Sequence, residues 1–405
     1  MGYETYRIAD LIDEIAMGPF GSNIKVSCFV DSGVPVLNGS NLEGFSLSEK
    51  TFRYVTRKKA DSLNKANAHR GDIVITHRGT LGQIVFIPQD SKYDRYVISQ
   101  SQFRVRCNDK VLPEYLVYYF HTPIGQHKLL SNASQVGVPA LARPSSTFQQ
   151  IEVVLPELSI QKCVVEIIST IQKKIVNNQE LNDNLQQQAA AIFRSWFVDC
   201  IPFGSTVPDE WKNVTLEDIT ALISRGISPK YADDTDQTVI NQKCIRNHII
   251  DLSFARSHRP KVINNKWLQF GDLLINSTGD GTLGRAAQVW FQPHNLTVDS
   301  HVTIVRPAAE NMIFYIGLWG TQHEKEIESL HTGSTGQTEL PRDRVKAIEL
   351  LLPDKETLER FNALIAPMAA AIVSNQEENN RLASIRDALL PKLMSGKIDV
   401  SSIRL

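Results

Sequence analysis

The chain repeats itself. Residues 71–82 read GDIVITHRGTLG and residues 271–284 read GDLLINSTGDGTLG, so the Gly-Asp pair returns after 200 positions and the GTLG turn after 202. Asn177–Leu185 (NNQELNDNL) returns as Ser374–Leu382 (SNQEENNRL), Val105-Arg106 as Val305-Arg306, and Leu155-Pro156 as Leu352-Pro353. The order within each copy is the same: a globular region, then a long helix. Such a chain presents one kind of surface twice, which suits a partner with two similar but unequal halves, such as duplex DNA.

Each globular region consists of short apolar runs broken by Gly, Asn, Ser and Pro. In the first these are Val34–Leu37, Asp72–Thr76, Ile84–Ile87 and Phe103–Arg106; in the second, Leu273–Ile275, Ala286–Trp290 and Val302–Val305. They read as strands between turns. A short helical stretch follows the last strand of each, Pro113–His121 and Asn311–Trp319. The fold class expected is α+β, with two mixed α/β domains joined and spaced by two long antiparallel coiled-coil helices in a pseudo-two-fold repeat. Residues 1–156 form the first domain, 157–200 the first helix, 201–353 the second domain, and 354–405 the second helix and tail.

Heptads define the helices. Val164, Ile171, Asn178, Leu185 and Ile192 recur every seven residues, with Ile168, Ile175, Asn182, Ala189 and Trp196 four residues on. The second helix carries Phe361, Met368, Asn375, Leu382 and Leu389 beside Ile365, Ile372, Asn379, Arg386 and Leu393. Two asparagines interrupt each apolar seam, and a seam Asn disfavours slipped registers because slipping buries it without a partner. Antiparallel pairing that sets Asn178 beside Asn379 also sets Asn182 beside Asn375, Val164 beside Leu393, and Trp196 beside Phe361. Only Ile171 opposite Arg386 matches poorly. About 40 residues at ~1.5 Å each make a rod of ~60 Å, long enough to hold two heads apart.

The sequence carries no recognisable catalytic signature. Gly279–Gly284 fits GxGxxG, but the following RAAQVWF reads as a strand, so the glycines read as a tight turn. There is no GxxxxGK[ST], no HExxH, no GxSxG, no kinase set, and no Asn/Asp-Pro-Pro-aromatic tetrapeptide. The five cysteines are scattered without a CxxC, and the ten histidines form no ligand-spaced pairs, so neither a disulfide framework nor a metal site is expected. With no apolar run of membrane length and no signal sequence at the start, the expectation is a cytoplasmic, non-membrane protein. Net charge is −1, with 17 Lys and Arg against 14 Asp and Glu in residues 1–155 and 15 against 18 in residues 200–353. Bulk electrostatics therefore cannot hold a polyanion, and any such binding falls to local clusters or to a positively charged partner.

The remaining motifs belong together. MGPFGSNIK (Met17–Lys25) precedes VPVLNGSNL (Val34–Leu42), the GTLG segment and ISQSQFRVR (Ile98–Arg106). The first helix closes with AAAIFRSWFVD (Ala189–Asp199), the second region opens with VPDEWKNVTLEDI (Val207–Ile219), and LLPKLMSGKIDV (Leu389–Val400) nears the end of the sequence. This set resembles the specificity subunit of type I restriction–modification systems, over essentially the whole chain and in duplicate. The resemblance implies that each globular region is a target recognition domain reading one part of a bipartite, asymmetric DNA sequence, and that the helices set the gap. It implies partners: two modification subunits that hold S-adenosylmethionine and methylate adenine, and restriction subunits that use ATP and Mg. No cofactor is expected on this chain. The second copy departs from the first, with ISRGISPKYADD (Ile223–Asp234) in place of the PFGS signature and a loop two residues longer before GTLG. Two other readings stand beside this one: a two-headed protein adaptor, and a nuclease or methyltransferase in its own right.

Base and phosphate contacts call for Arg, Lys, Asn, Gln, Ser, Thr and exposed backbone N–H groups on loops. The candidates in the first region are Ser22, Asn23, Lys25, Asn38, Ser40, Asn41, His77, Arg78, Thr80, Gln100 and Gln102. Those in the second are Arg225, Lys230, Tyr231, Asn241, Gln242, Lys243, Asn276, Ser277, Thr278, His301 and Thr335. Asn178, Asn182, Asn375 and Asn379 are expected to set the helix register. Trp196, Phe197 and Leu393 are expected either to grip the modification subunit or to pack in a core.

Overall fold

The computed structural model describes residues 2–134, 137–233, 235–259, 263–333 and 338–400. Two compact units result: one runs to Ile175 and takes up the chain again at Arg381, and the other is Val176–Asn380. Two helices of 40 residues, α1 (Leu158–Phe197) and α2 (Lys355–Met394), cross the boundary, so each unit contains part of both. The helices are thus parts of the two units rather than segments apart from them.

In the first unit β1 (Ile12–Met17), β2 (Ile73–Thr76), β3 (Ile84–Phe86) and β4 (Gln102–Cys107) form an antiparallel sheet in the order β1-β4-β2-β3. Ile73, Ile75, Phe103 and Val105 face the helix Pro113–His121 and the start of α1, while Val74 and Val85 face a second layer. That layer is a five-stranded sheet including Val34–Val36 and Arg95–Val97, which pair in parallel. Burial on both faces explains why these strands read as unbroken apolar runs instead of alternating. Tyr3–Arg7 pairs with Glu152–Pro156, the strand that leads into α1.

The second unit repeats this plan. β5 (Thr220–Arg225), β6 (Leu273–Asn276), β7 (Ala286–Gln288) and β8 (Val302–Pro307) order as β5-β8-β6-β7, again antiparallel. Lys212–Thr215 pairs with Glu349–Leu352 ahead of α2. The second layer is shorter, three strands, with Thr238–Ile240 parallel to Leu296–Val298. The short helix here is Ile313–Gln322, later than its sequence suggests, because a 3-10 turn at Glu310–Met312 takes the residues that Pro113 fixes at the first helical turn of the other copy.

The sequence echoes have a structural cause. Asp72 is fully buried; its Oδ1 accepts from Arg106 Nε at 2.8 Å and its Oδ2 from the His69 N–H at 2.9 Å. Asp272 is equally buried and accepts from Arg306 Nε at 2.8 Å and the Gln269 N–H at 2.8 Å. Each aspartate closes a turn through a glycine at positive φ, Gly71 at +84° and Gly271 at +91°, where a side chain would be strained. Gly-Asp and Val-Arg therefore repeat as one device: a turn, a buried carboxylate, and the arginine that neutralises it.

The helices run antiparallel within each unit. In the first, Val164 and Ile168 of α1 share a core with Leu390, Leu393 and Met394 of α2. In the second, Ala189 and Phe193 pack with Phe361, Ile365 and Ala369, and the Trp196 and Phe361 rings lie 5.8 Å apart. Between them Asn178 Nδ2 donates to Asn379 Oδ1 at 2.9 Å and to Glu378 Oε2 at 2.7 Å, and Asn375 Nδ2 donates to Asn182 Oδ1 at 2.8 Å. The amides thus stand in the heptad register. The poor layer is repaired from outside it: Arg386 Nη1 donates to Gln172 Oε1 at 3.0 Å, and its guanidinium lies 5.0 Å over the Phe45 ring.

Candidate nucleic-acid interface

Three connections converge at one end of the first sheet. β1 ends at Met17 opposite Phe103, β2 ends at Thr76 opposite Gln102, and β3 begins at Ile84 opposite Ile75. The loop Gly18–Lys25, the hairpin His77–Gln83 and the turn Ser99–Gln102 must therefore leave side by side. His77 Nε2 donates to the Gln100 carbonyl at 3.1 Å, and the His77 N–H to the Ser101 carbonyl at 2.8 Å. Burial holds the His77 pKa below its ordinary value, favouring the neutral ring. Gln83 joins a fourth turn, Gly39–Asn41, donating from Nε2 to the Gly39 carbonyl at 3.0 Å while its Oε1 accepts from Thr76 Oγ1 at 3.0 Å.

Ser22, Asn23, Lys25, Arg78, Thr80 and Gln100 are exposed here, with Asn38 and Ser40 on the adjoining turn. The three loops carry Lys25 and Arg78 and no Asp or Glu. Exposed amides, hydroxyls and two cations without a competing carboxylate are the side chains that can meet phosphates and base edges.

The second unit builds the corresponding end from other residues. Thr278 Oγ1 shares a 2.7 Å hydrogen bond with His301 Nδ1, and Asn276 Nδ2 donates to the Gln242 carbonyl at 3.1 Å. Asn241 Oδ1 accepts from the Lys243 N–H at 2.8 Å, as Asn38 Oδ1 accepts from the Ser40 N–H at 2.9 Å. Lys230, Lys243 and His301 are exposed. Tyr231 is partly exposed, its ring capped by Arg256 at 3.7 Å. Asp280 and Asp299 bring acid to this end; burial raises the Asp299 carboxyl, with the His301 N–H opposing it. The glycines of Gly279–Gly284 form the turn into β7.

Several candidates serve the fold instead. Asn41 is buried and donates to the Ser48 and Thr51 carbonyls. Gln102 is buried with Oε1 accepting from the Ser99 N–H. Asn276 and Ser277 are buried, the latter sharing a hydrogen bond with Thr303. Arg225 is held by Glu339 at 2.6 Å and by the Leu340 carbonyl. Polarity drew attention to these residues, but strand ends also need polar side chains to satisfy backbone groups. Leu393 lies in the core of the first unit, while Trp196 and Phe197, half-buried, pack against Phe361 in the second. Thr335 lies outside the described residues. Gln83 and Arg285, directly after GTLG, were missed; their signal was position, the first residue past a repeated turn. Arg285 Nη2 donates to the Gly281 carbonyl at 2.7 Å, bracing the hairpin.

The PFGS difference is smaller in three dimensions. Gly18 donates to the Gln102 carbonyl at 2.8 Å and Gly226 to the Val302 carbonyl at 3.1 Å. A Cβ on Gly18 would overlap the Ser99 carbonyl, and one on Gly226 the Val298 carbonyl. Gly226 is thus the counterpart of Gly18. Among the described residues no cluster of His, Cys, Asp and Glu is placed to hold a metal, and no helix is long and apolar enough to cross a membrane.

The family model described as the type I restriction modification DNA specificity domain matches residues 2–187. The type I restriction enzyme MjaIX specificity subunit of Methanocaldococcus jannaschii is 23% identical over 428 residues, covering 99% of this chain and 94% of that protein. The HindI specificity subunit of Haemophilus influenzae is 24% identical, covering 81% and 87%. The crystal structure of a type I restriction–modification S subunit from M. genitalium matches 97% of this chain and 96% of that one with a TM-score of 0.60 at 14% identity, a likeness of fold. Over residues 2–187 the chain is thus similar to the type I restriction modification DNA specificity domain, and along most of its length to proteins named as specificity subunits of type I restriction enzymes.

Proposed function

We propose that each unit reads one segment of duplex DNA with its loop end, so that the chain recognises a bipartite target. The observation that carries this is the repeated sheet end, one scaffold bearing two different sets of exposed side chains. Unlike side chains on like scaffolds read unlike sequences, so the target is asymmetric. The paired helices set the gap between its parts, as the spacing of two reading elements sets half-site separation in dimeric binders.

In this reading the chain works in the cytoplasm with two modification subunits, which carry S-adenosylmethionine and methylate adenine, and with restriction subunits that use ATP and Mg. Near-neutral net charge fits, because partners then supply most of the grip on phosphates. The test is to express the chain with a type I methyltransferase subunit encoded beside it and to map methylated adenines across the host genome. A new motif of two unlike parts with a fixed gap is expected. A soluble complex that adds no motif would overturn the proposal.

A further inference from the structure

Phe20 is 82% exposed, the most exposed of the large apolar side chains described, and it stands among the polar residues of the first loop end. An aromatic ring left in water forgoes a large burial gain, so its position calls for a reason. The backbone holds it there. Gly18 is pinned to the Gln102 carbonyl at 2.8 Å, Pro19 is buried, and the Phe20 carbonyl accepts from the Asn23 N–H at 2.8 Å. With Pro19 buried beneath and the turn closed behind, the backbone presents the ring to solvent. In the second unit the corresponding order is Gly226, buried Ile227 and exposed Ser228, so this position carries a projecting ring in the first unit and a hydroxyl in the second.

We propose that Phe20 is a wedge that inserts between adjacent base pairs of the DNA segment read by the first unit. This rests on the DNA-reading role proposed above. The surroundings favour DNA over a protein surface: Ser22, Asn23, Lys25, Arg78 and Gln100 are exposed on the same three loops, and those loops hold no carboxylate. Apolar side chains unstack base steps in this way when neighbouring polar groups hold the backbone. A backbone turn already fixed loses little freedom when its side chain inserts. The first half of the target is thereby read partly through how easily one step opens, and the second half is not.

The test uses the full chain with its methyltransferase subunits and a duplex bearing the mapped target. 2-Aminopurine replaces each adenine of the first half in turn, except the adenine that is methylated, so flipping by the partner stays silent. The wild-type complex is expected to brighten the probe at one step. Phe20→Ala is expected to abolish that rise and weaken target binding roughly tenfold, and Phe20→Trp to restore both. Ser228→Ala is expected to change neither signal. If Phe20→Ala keeps the fluorescence rise and the affinity, the wedge is wrong while the DNA-reading role stands. If Phe20→Ala instead sheds the methyltransferase subunits on size exclusion, the ring is a protein anchor and the wedge is again wrong. Absence of any sequence preference in the wild-type complex would sink the DNA-reading role itself.

Discussion

A carboxylate with no exposed surface is costly unless a cation neutralises it, and Asp272 relies on Arg306 at 2.8 Å for that. Burial still raises its pKa, with Arg306 opposing, so compensation is partial. Asp272→Asn leaves Arg306 largely buried without its anion, and the second unit should lose roughly 3 kcal/mol, measured by urea unfolding. Asp72 is ringed by Arg106 and by Arg104, which also reaches Glu14 at 2.8 Å. Histidine gives the pH dependence. Burial lowers the pKa of both His77 and His121 in the folded chain. Protons then bind the unfolded chain more readily, so these residues contribute stability above about pH 6.5 that is lost as pH falls through their folded values. Unfolding free energies between pH 7.5 and 5 should fall, and His77→Gln with His121→Gln should flatten that slope. The identity of residues at the loop end was legible in sequence, but their exposure was not. Asn41 and Ser40 are neighbours of similar polarity, and only packing makes one a buried brace and the other an exposed hydroxyl that donates to Asn38.

Elements show a similar division. The inner strands were legible because two-sided burial writes continuous apolar runs. β1 and β5 were not, since as edge strands they are half exposed and mix Asp, Glu, Ser and Thr with their apolar residues. Heptads located both long helices, and the asparagines gave the pairing that the amide hydrogen bonds display. Replacing Asn182 and Asn375 with Leu together should raise the melting temperature, because two desolvated amides give way to apolar contact. It should also admit other registers. Cross-linking of cysteines placed at positions 189 and 368 reads this: loss of a single dominant product is expected, and an unchanged product with unchanged melting would remove the amides from any part in setting register.

At the scale of the whole molecule, the proposed ruler makes a quantitative demand. Seven residues inserted into each of α1 and α2 preserve the heptad and add about 10.5 Å of helix, close to three base pairs of duplex at 3.4 Å each. Genome-wide methylation mapping should return the same two half-targets with the gap widened by about three. An unchanged gap would show that the helices do not measure it. By itself the sequence determined the duplication, the α+β class, the helix register and the resemblance to type I specificity subunits, because each is written in the order or period of residues along the chain. Only the tertiary structure decided which polar residues are free, that Gly226 stands in for Gly18, and that the long helices divide between the two units. Those depend on which atoms meet across the fold, and a side chain's polarity does not say whether a backbone carbonyl or open solvent lies in front of it.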